Sequence, residues 1–130
     1  MNAGLGSPAE TQGKKGVATI YKICERSAWE KAEAADRYAG SDADSRDGFI
    51  HFSTAAQLPG TAAKHFAGQP DLVLVAVDGD ALGGALQWEP SRGGELFPHL
   101  YAALPLAAVL WARPLADEID GRRVFPELVS

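Results

Sequence analysis

The 130-residue chain has one cysteine, no apolar run approaching the roughly 20 residues that cross a bilayer, and no basic stripe. Each shortage excludes something. A lone thiol, Cys24, cannot close an internal disulfide, so the fold does not depend on an oxidising compartment. It sits in the apolar run Ile20-Tyr21-Lys22-Ile23-Cys24, where a small packed side chain is the preferred reading over a catalytic thiolate. Residues 1–16 hold no apolar core of signal-peptide length, and the expectation is a cytoplasmic protein without a membrane partner. Lys and Arg number 12 against 17 Asp and Glu, a net charge of −5, with only Lys14-Lys15 and Arg122-Arg123 adjacent. A phosphate-neutralising surface is therefore missing, which argues against sequence-independent nucleic-acid binding, while a local basic pocket stays compatible. Phosphate-cradling P-loops, the dinucleotide glycine fingerprint and Gly-x-Ser-x-Gly are absent as well, so the simplest nucleotide and hydrolase assignments fall away.

What is present suits one domain. Hydrophobic residues make up 46% and charged residues 22%, enough to fill and to solvate a single core. Residues 1–16 read as a flexible leader and 17–130 as a single α+β domain. Residues 17–23 are β-branched and aromatic and predict a strand. Ser27 followed by Glu30 reads as a capping box opening a helix that ends near Gly40. Residues 41–47 are polar and acidic and read as a surface loop. Residues 48–53 predict a strand with His51 and Ser53 on one face. A helix over about 55–66 follows, delayed or kinked by Pro59 and Gly60. Residues 72–77 are apolar on both faces, which predicts a central strand. Further strands are expected at 85–89, 95–101 and 107–112, a loop at Pro90-Ser91-Arg92-Gly93-Gly94, and a turn at Asp120-Gly121. Pro98 lacks an amide donor, so the strand carrying it is expected at an edge or with a bulge. About six strands and two helices, with the strands concentrated late, indicate α+β rather than regular βαβ winding.

Three segments carry polar groups that a plain core does not need. His51 and Ser53 leave one face of their strand, where together they suit a polar ligand. Taken alone, a backbone-satisfied His51 and a capping Ser53 are the simpler account. Trp88 beside Glu89 suits ring stacking, with an anchored core Trp as its plain counterpart. Glu95, Phe97, His99 and Tyr101 alternate after Gly93-Gly94, whose missing side chains let a backbone approach a ligand. The three histidines, 51, 65 and 99, lack the close spacing of a helical or zinc-finger ligand pair; His51 and His99 meeting Glu89 or Glu95 is the one metal arrangement left open, and no metal is expected. His65 falls near a helix C-terminus, where a structural role is the natural one.

Two of these motifs, Gly48-Phe49-Ile50-His51-Phe52-Ser53 and Glu95-Leu96-Phe97-Pro98-His99-Leu100-Tyr101, combine with residues 20–23, 66–72 and 86–90 into a pattern that resembles domain-of-unknown-function family 952 over about residues 19–114. That family is grouped by fold with ADP-ribosyltransferase-like proteins. The resemblance implies two small, mostly antiparallel sheets flanking a cleft, with about two helices, and NAD as a possible substrate. It places Lys22 on the first strand, His51 and Ser53 on the second, and Glu95 at the start of a later one, with Glu95 and His51 as catalytic groups. Lys22, Ser53, Phe97, His99, Tyr101 and Trp88 are the implied NAD-binding residues. The family pattern implies a histidine where this chain has Lys22, and a lysine can contact phosphate or ribose but not as a neutral imidazole. A carboxylate at 95 suits the positive charge that builds on ribose as the nicotinamide bond breaks. Three functions follow in order: an NAD-linked ADP-ribosyltransferase-like enzyme, a noncatalytic module binding a small ligand or nucleotide-like metabolite, and a metal-dependent enzyme using His51 and His99.

Overall fold

The computed structural model describes residues 18–128; the stretch read as a leader lies outside the described residues. In chain order the elements are β1 (Thr19–Glu25), α1 (Arg26–Ala35), β2 (Arg37–Tyr38), α2 (Asp42–Asp47), β3 (Ile50–His51), α3 (Leu58–His65), β4 (Leu72–Asp78), β5 (Leu86–Pro90), β6 (Leu96–Leu100), β7 (Leu104–Pro105) and β8 (Val109–Leu115). Short 3-10 turns occupy Gly79–Ala85, Arg92–Gly94 and Leu106–Ala108. One sheet has the order β1-β4-β8, a second the order β3-β6-β5, and β2 with β7 makes a two-stranded ribbon; all pairings are antiparallel. The class is α+β, as the late concentration of strands predicts. The expected two sheets and two helices become three sheets and three α-helices among the described residues, because the ribbon and α2 come from segments too short or too polar to show a period.

The apolar run at 72–77 is central for the reason its composition suggests. Val73, Val75 and Val77 join one core cluster with Ile20, Trp29, Ile50 and Phe52, while Leu72, Leu74 and Ala76 join another with Tyr21, Ile23, Leu58 and Ala62. A strand covered on both faces carries apolar residues at both parities.

The two three-stranded sheets meet at a single bridge. The Tyr21 amide donates to the Ser53 carbonyl at 2.8 Å and the Ser53 amide returns a bond to the Tyr21 carbonyl at 2.9 Å. Pairing does not continue beyond this pair, so the sheets diverge and leave a cleft between them.

Three expectations are corrected. Helix α1 starts at Arg26, its N-cap residue Glu25 makes no side-chain cap bond, and the helix stops at Asp36 in the left-handed region (φ 61°), well before Gly40. Residues 41–47 are a capped helix rather than a loop: the Ser41 side chain accepts from the Asp44 amide while the Asp44 carboxylate accepts from the Ser41 amide. Pro98 lies in β6, the middle strand of its sheet. It is tolerated because its carbonyl accepts from the Phe52 amide at 3.0 Å, so its missing N–H faces the same edge, where pairing with β3 has ended at His51. Pro59, by contrast, falls in the first turn of α3, where an absent donor costs nothing.

Candidate functional site

The cleft has a volume of about 990 Å³ and is lined from β1, α2, the 51–53 segment, α3 and the β5–β6 loop. Its polar floor is organised by Asp44, 2% exposed. The capping box turns this carboxylate inward, and Gly40 makes room for it: a Cβ at that glycine, whose φ is +105°, would stand 2.9 Å from the Asp44 Cβ. Lys22, 9% exposed, donates to both Asp44 oxygens at 3.1 and 2.9 Å. The His51 amide donates to Asp44 Oδ1 at 3.1 Å, and His51 Nδ1 lies 2.5 Å from the same oxygen. His51 Nε2 faces Asp47 Oδ2 at 2.9 Å. Burial pushes the Asp44 carboxyl up, but the His51 hydrogen bond, the Lys22 charge and the Ser41 amide together hold it well below the usual carboxylate range.

Beside this floor lies a second group. Ser53 Oγ and Thr61 Oγ1 are 2.8 Å apart. Arg92 reaches over from the β5–β6 loop, its guanidinium 4.9 Å from the centre of the Phe97 ring, with Nη1 3.4 Å from Thr61 Oγ1 and Nη2 3.5 Å from the Gln57 carbonyl. The loop holds it there through Gly93 and Gly94, at φ +68° and +80°. A Cβ at either would meet no protein atom within 4 Å, and it is the positive φ that calls for glycine here.

The structure brings Lys22, His51, Ser53, Phe97 and His99 to the cleft wall and leaves Glu95, Tyr101 and Trp88 outside it. Glu95 is exposed, and its Oε1 accepts from Gln57 Nε2 at 3.3 Å. Lys22 is committed to Asp44 rather than left for a ligand. Trp88, 42% exposed, pairs with Pro98, and alternation puts it on the sheet face opposite Phe97 and His99. The carboxylate that joins the His99 row is Glu89: its Oε1 lies 2.8 Å from His99 Nδ1 and accepts from the Tyr101 hydroxyl at 2.7 Å. The Tyr101 and His99 hydrogen bonds lower the Glu89 carboxyl. Phe49 stacks on His99 at 4.0 Å between ring centres and tilts against Tyr101 at 5.3 Å.

Asp44, Thr61 and Arg92 were not singled out by sequence. A signal for Asp44 was present, since Ser41-Asp42-Ala43-Asp44 is a capping-box spacing. Arg92 has no such signal; a charged residue before two glycines reads as a solvated loop.

Cys24 is buried, and burial pushes its thiol up to about 11, against a lowering by Lys22 and with further raising by Asp44 and Glu25. A thiol so held is a poor nucleophile. The folded protein at pH near 8 is expected to resist iodoacetamide, with labelling seen by intact mass only after denaturation; rapid labelling of native protein would contradict this. His51 and His99 approach to 5.6 Å between ring centres, but among the described residues no three His, Cys, Asp or Glu side chains group as a metal ion requires. No helix among the described residues is long and apolar enough to cross a membrane.

The chain is similar to protein CC0527 from Caulobacter crescentus. The crystal structure of that protein is 47% identical, with a TM-score of 0.78 over 82% of this chain and 93% of that one. Its solution NMR structure gives 48% identity and a TM-score of 0.72 over 80% and 90%. No curated protein matches. Residues 23–112 match the family described as "Protein of unknown function (DUF952)", and the chain belongs to that family.

Proposed function

We propose that this domain binds a small polar metabolite in the cleft between its two three-stranded sheets and does not turn it over. The observation that carries this is the cleft itself, about 990 Å³, at the upper end of the roughly 300–1,000 Å³ of ligand sites. A few convergent polar groups, Ser53, Thr61, His51 and Arg92, line a wall that also presents Phe97. The sequence resemblance to ADP-ribosyltransferase-like proteins makes NAD the first ligand to test. What supports binding over cleavage is Glu95. A carboxylate that stabilises charge on ribose must face the ligand, and this one accepts from Gln57 at the exposed rim.

A second reading, NAD cleavage, is favoured by one feature. His51 lines the cleft with a buried carboxylate on Nδ1, the arrangement that orients an acid or base. Its Nε2 is occupied by Asp47, half exposed, which would have to swing aside.

None of the three tryptophans lines the cleft, so calorimetry reports better than tryptophan emission. NAD is expected to give a saturable heat with no free nicotinamide, unchanged within about twofold in Glu95→Gln, since an exposed rim group contributes little. Nicotinamide release abolished by Glu95→Gln would replace this reading with the transferase one. Absence of any heat would remove NAD and call for a metabolite screen.

A further inference from the structure

We infer that Arg92, Thr61 and Ser53 form a phosphoryl-binding subsite at the α3 end of the cleft. The inference rests on the cleft being the ligand site and adds the class of group that the ligand carries.

Arg92 barely uses its hydrogen-bonding capacity. A guanidinium carries five N–H donors in a rigid fork that matches two oxygens of an anion. Arg92 is half-buried, yet among the described residues no carboxylate pairs with it. Its two contacts, 3.4 Å to Thr61 Oγ1 and 3.5 Å to the Gln57 carbonyl, lie at the long limit of hydrogen bonding. The other buried or bridging cations differ. Lys22 is bound to both oxygens of Asp44, and Arg123 donates to the Phe66 carbonyl at 3.0 Å and the Ala116 carbonyl at 2.9 Å.

The head of Arg92 is nevertheless held in place. Phe97 supports one face, and α3 supplies the other boundary at Gly60, where a Cβ would stand 3.0 Å from Nη2. A cation supported by a ring and bounded by backbone is aimed before any ligand arrives, which lowers the ordering cost of binding.

The hydroxyls define the geometry. Ser53 Oγ and Thr61 Oγ1, 2.8 Å apart, share one hydrogen bond in which either is the donor, so the pair holds one further hydroxyl hydrogen for an incoming oxygen. A planar carboxylate is satisfied by the arginine fork alone. A tetrahedral phosphoryl group has further oxygens directed away from the fork, and the two hydroxyls beside the guanidinium can meet one of them. Lys64 and His65 also line this end. Burial first, and then the Lys64 and Arg92 charges, lower the His65 value. The cleft carboxylates Asp44 and Asp47 are already paired with Lys22 and His51.

The test is an NMR titration of ¹⁵N-labelled protein at low ionic strength, where electrostatic attraction is least screened, with inorganic phosphate and with acetate as separate probes. Phosphate is expected to shift the amides of Ser53, Thr61 and Arg92 saturably, and acetate at equal ionic strength is not. Arg92→Ala should weaken the phosphate response by about 10- to 100-fold, the range of a lost charge-assisted contact, and Thr61→Val by a smaller factor. Arg92→Lys keeps the charge without the fork and should recover part of the affinity; it also serves as the second variant if Arg92→Ala fails to fold. Equal shifts with acetate, or a phosphate response unchanged in both Arg92 variants, would overturn the subsite. NAD heats measured on the same variants separate the two proposals. NAD binding undiminished by Arg92→Ala removes the subsite and keeps the cleft, while a phosphate response without NAD binding keeps the subsite and removes NAD.

Discussion

Asp44→Asn is expected to lower the free energy of unfolding by about 3–5 kcal/mol, the usual cost of leaving a buried charge without its partner. Asn preserves shape, but its single oxygen can accept from only one of the Ser41 and His51 amides, which reach different Asp44 oxygens, and it cannot neutralise Lys22, whose side chain is 10% exposed. Urea denaturation at neutral pH measures the effect. A loss below about 1 kcal/mol would mean that the Lys22 ammonium swings into water in the cleft. The double variant Lys22→Met with Asp44→Asn should regain most of the loss, because replacing both partners of a buried pair is far cheaper than removing one.

Acid reproduces the same defect without mutation. The ordinary Asp44 value is 3.8, and the folded protein holds it lower. A depressed native value means that the group contributes its full stability above the unfolded value and loses it as pH falls through the native one. Urea midpoints should therefore decline as pH drops from about 4 toward 2, more steeply in the native sequence than in Asp44→Asn. Equal slopes in the two proteins would show that other carboxylates govern acid unfolding.

Leu58→Ala is expected to cost about 2–5 kcal/mol through lost burial and the cavity left behind. Leu58 has no exposed surface and packs with Tyr21, Leu72 and Leu74 where α3 covers the β1-β4-β8 sheet. Its effect extends to the site, because Thr61 lies one turn further along α3 and meets Ser53 across the cleft. Lower urea midpoints with an unchanged denaturant slope would report a plain loss of packing. A cost below about 1 kcal/mol would mean that α3 settles onto the sheet, and then the Thr61 amide shift should move.

Periodic and compositional features were legible in the sequence. The run at 72–77 is apolar at both parities, and it is the middle strand. Asp120-Gly121 reads as a turn, and both residues have positive φ, 55° and 77°, between the bridged Ile119 and Arg122. His51 and Ser53 stand two residues apart, and both reach the cleft, although the strand itself ends at His51. Local rules sufficed there because each feature is decided by neighbours a few residues away.

Other features depend on partners distant in sequence. Ser27 lost the expected cap because β1 runs through Glu25, which lies opposite Leu72, and the next amide, of Arg26, donates to the Asp71 carbonyl at 3.1 Å. Pro98 sits mid-sheet only because β3 is two residues long. Glu95 and Glu89 are equivalent by composition, yet the β5–β6 register places Glu89 opposite Phe97, within reach of His99 and Tyr101, and leaves Glu95 at the rim.

By itself, then, the sequence determined the α+β class, the central strand and the family. The pairing of Lys22 with Asp44, 22 residues apart, and the placing of Arg92 against Thr61, 31 apart, were decided only in three dimensions. The physical reason is that a charged side chain in a polar segment carries no periodic signal of burial. Whether it is solvated or turned inward depends on the counter-charge and hydroxyls that the chain brings to it from elsewhere.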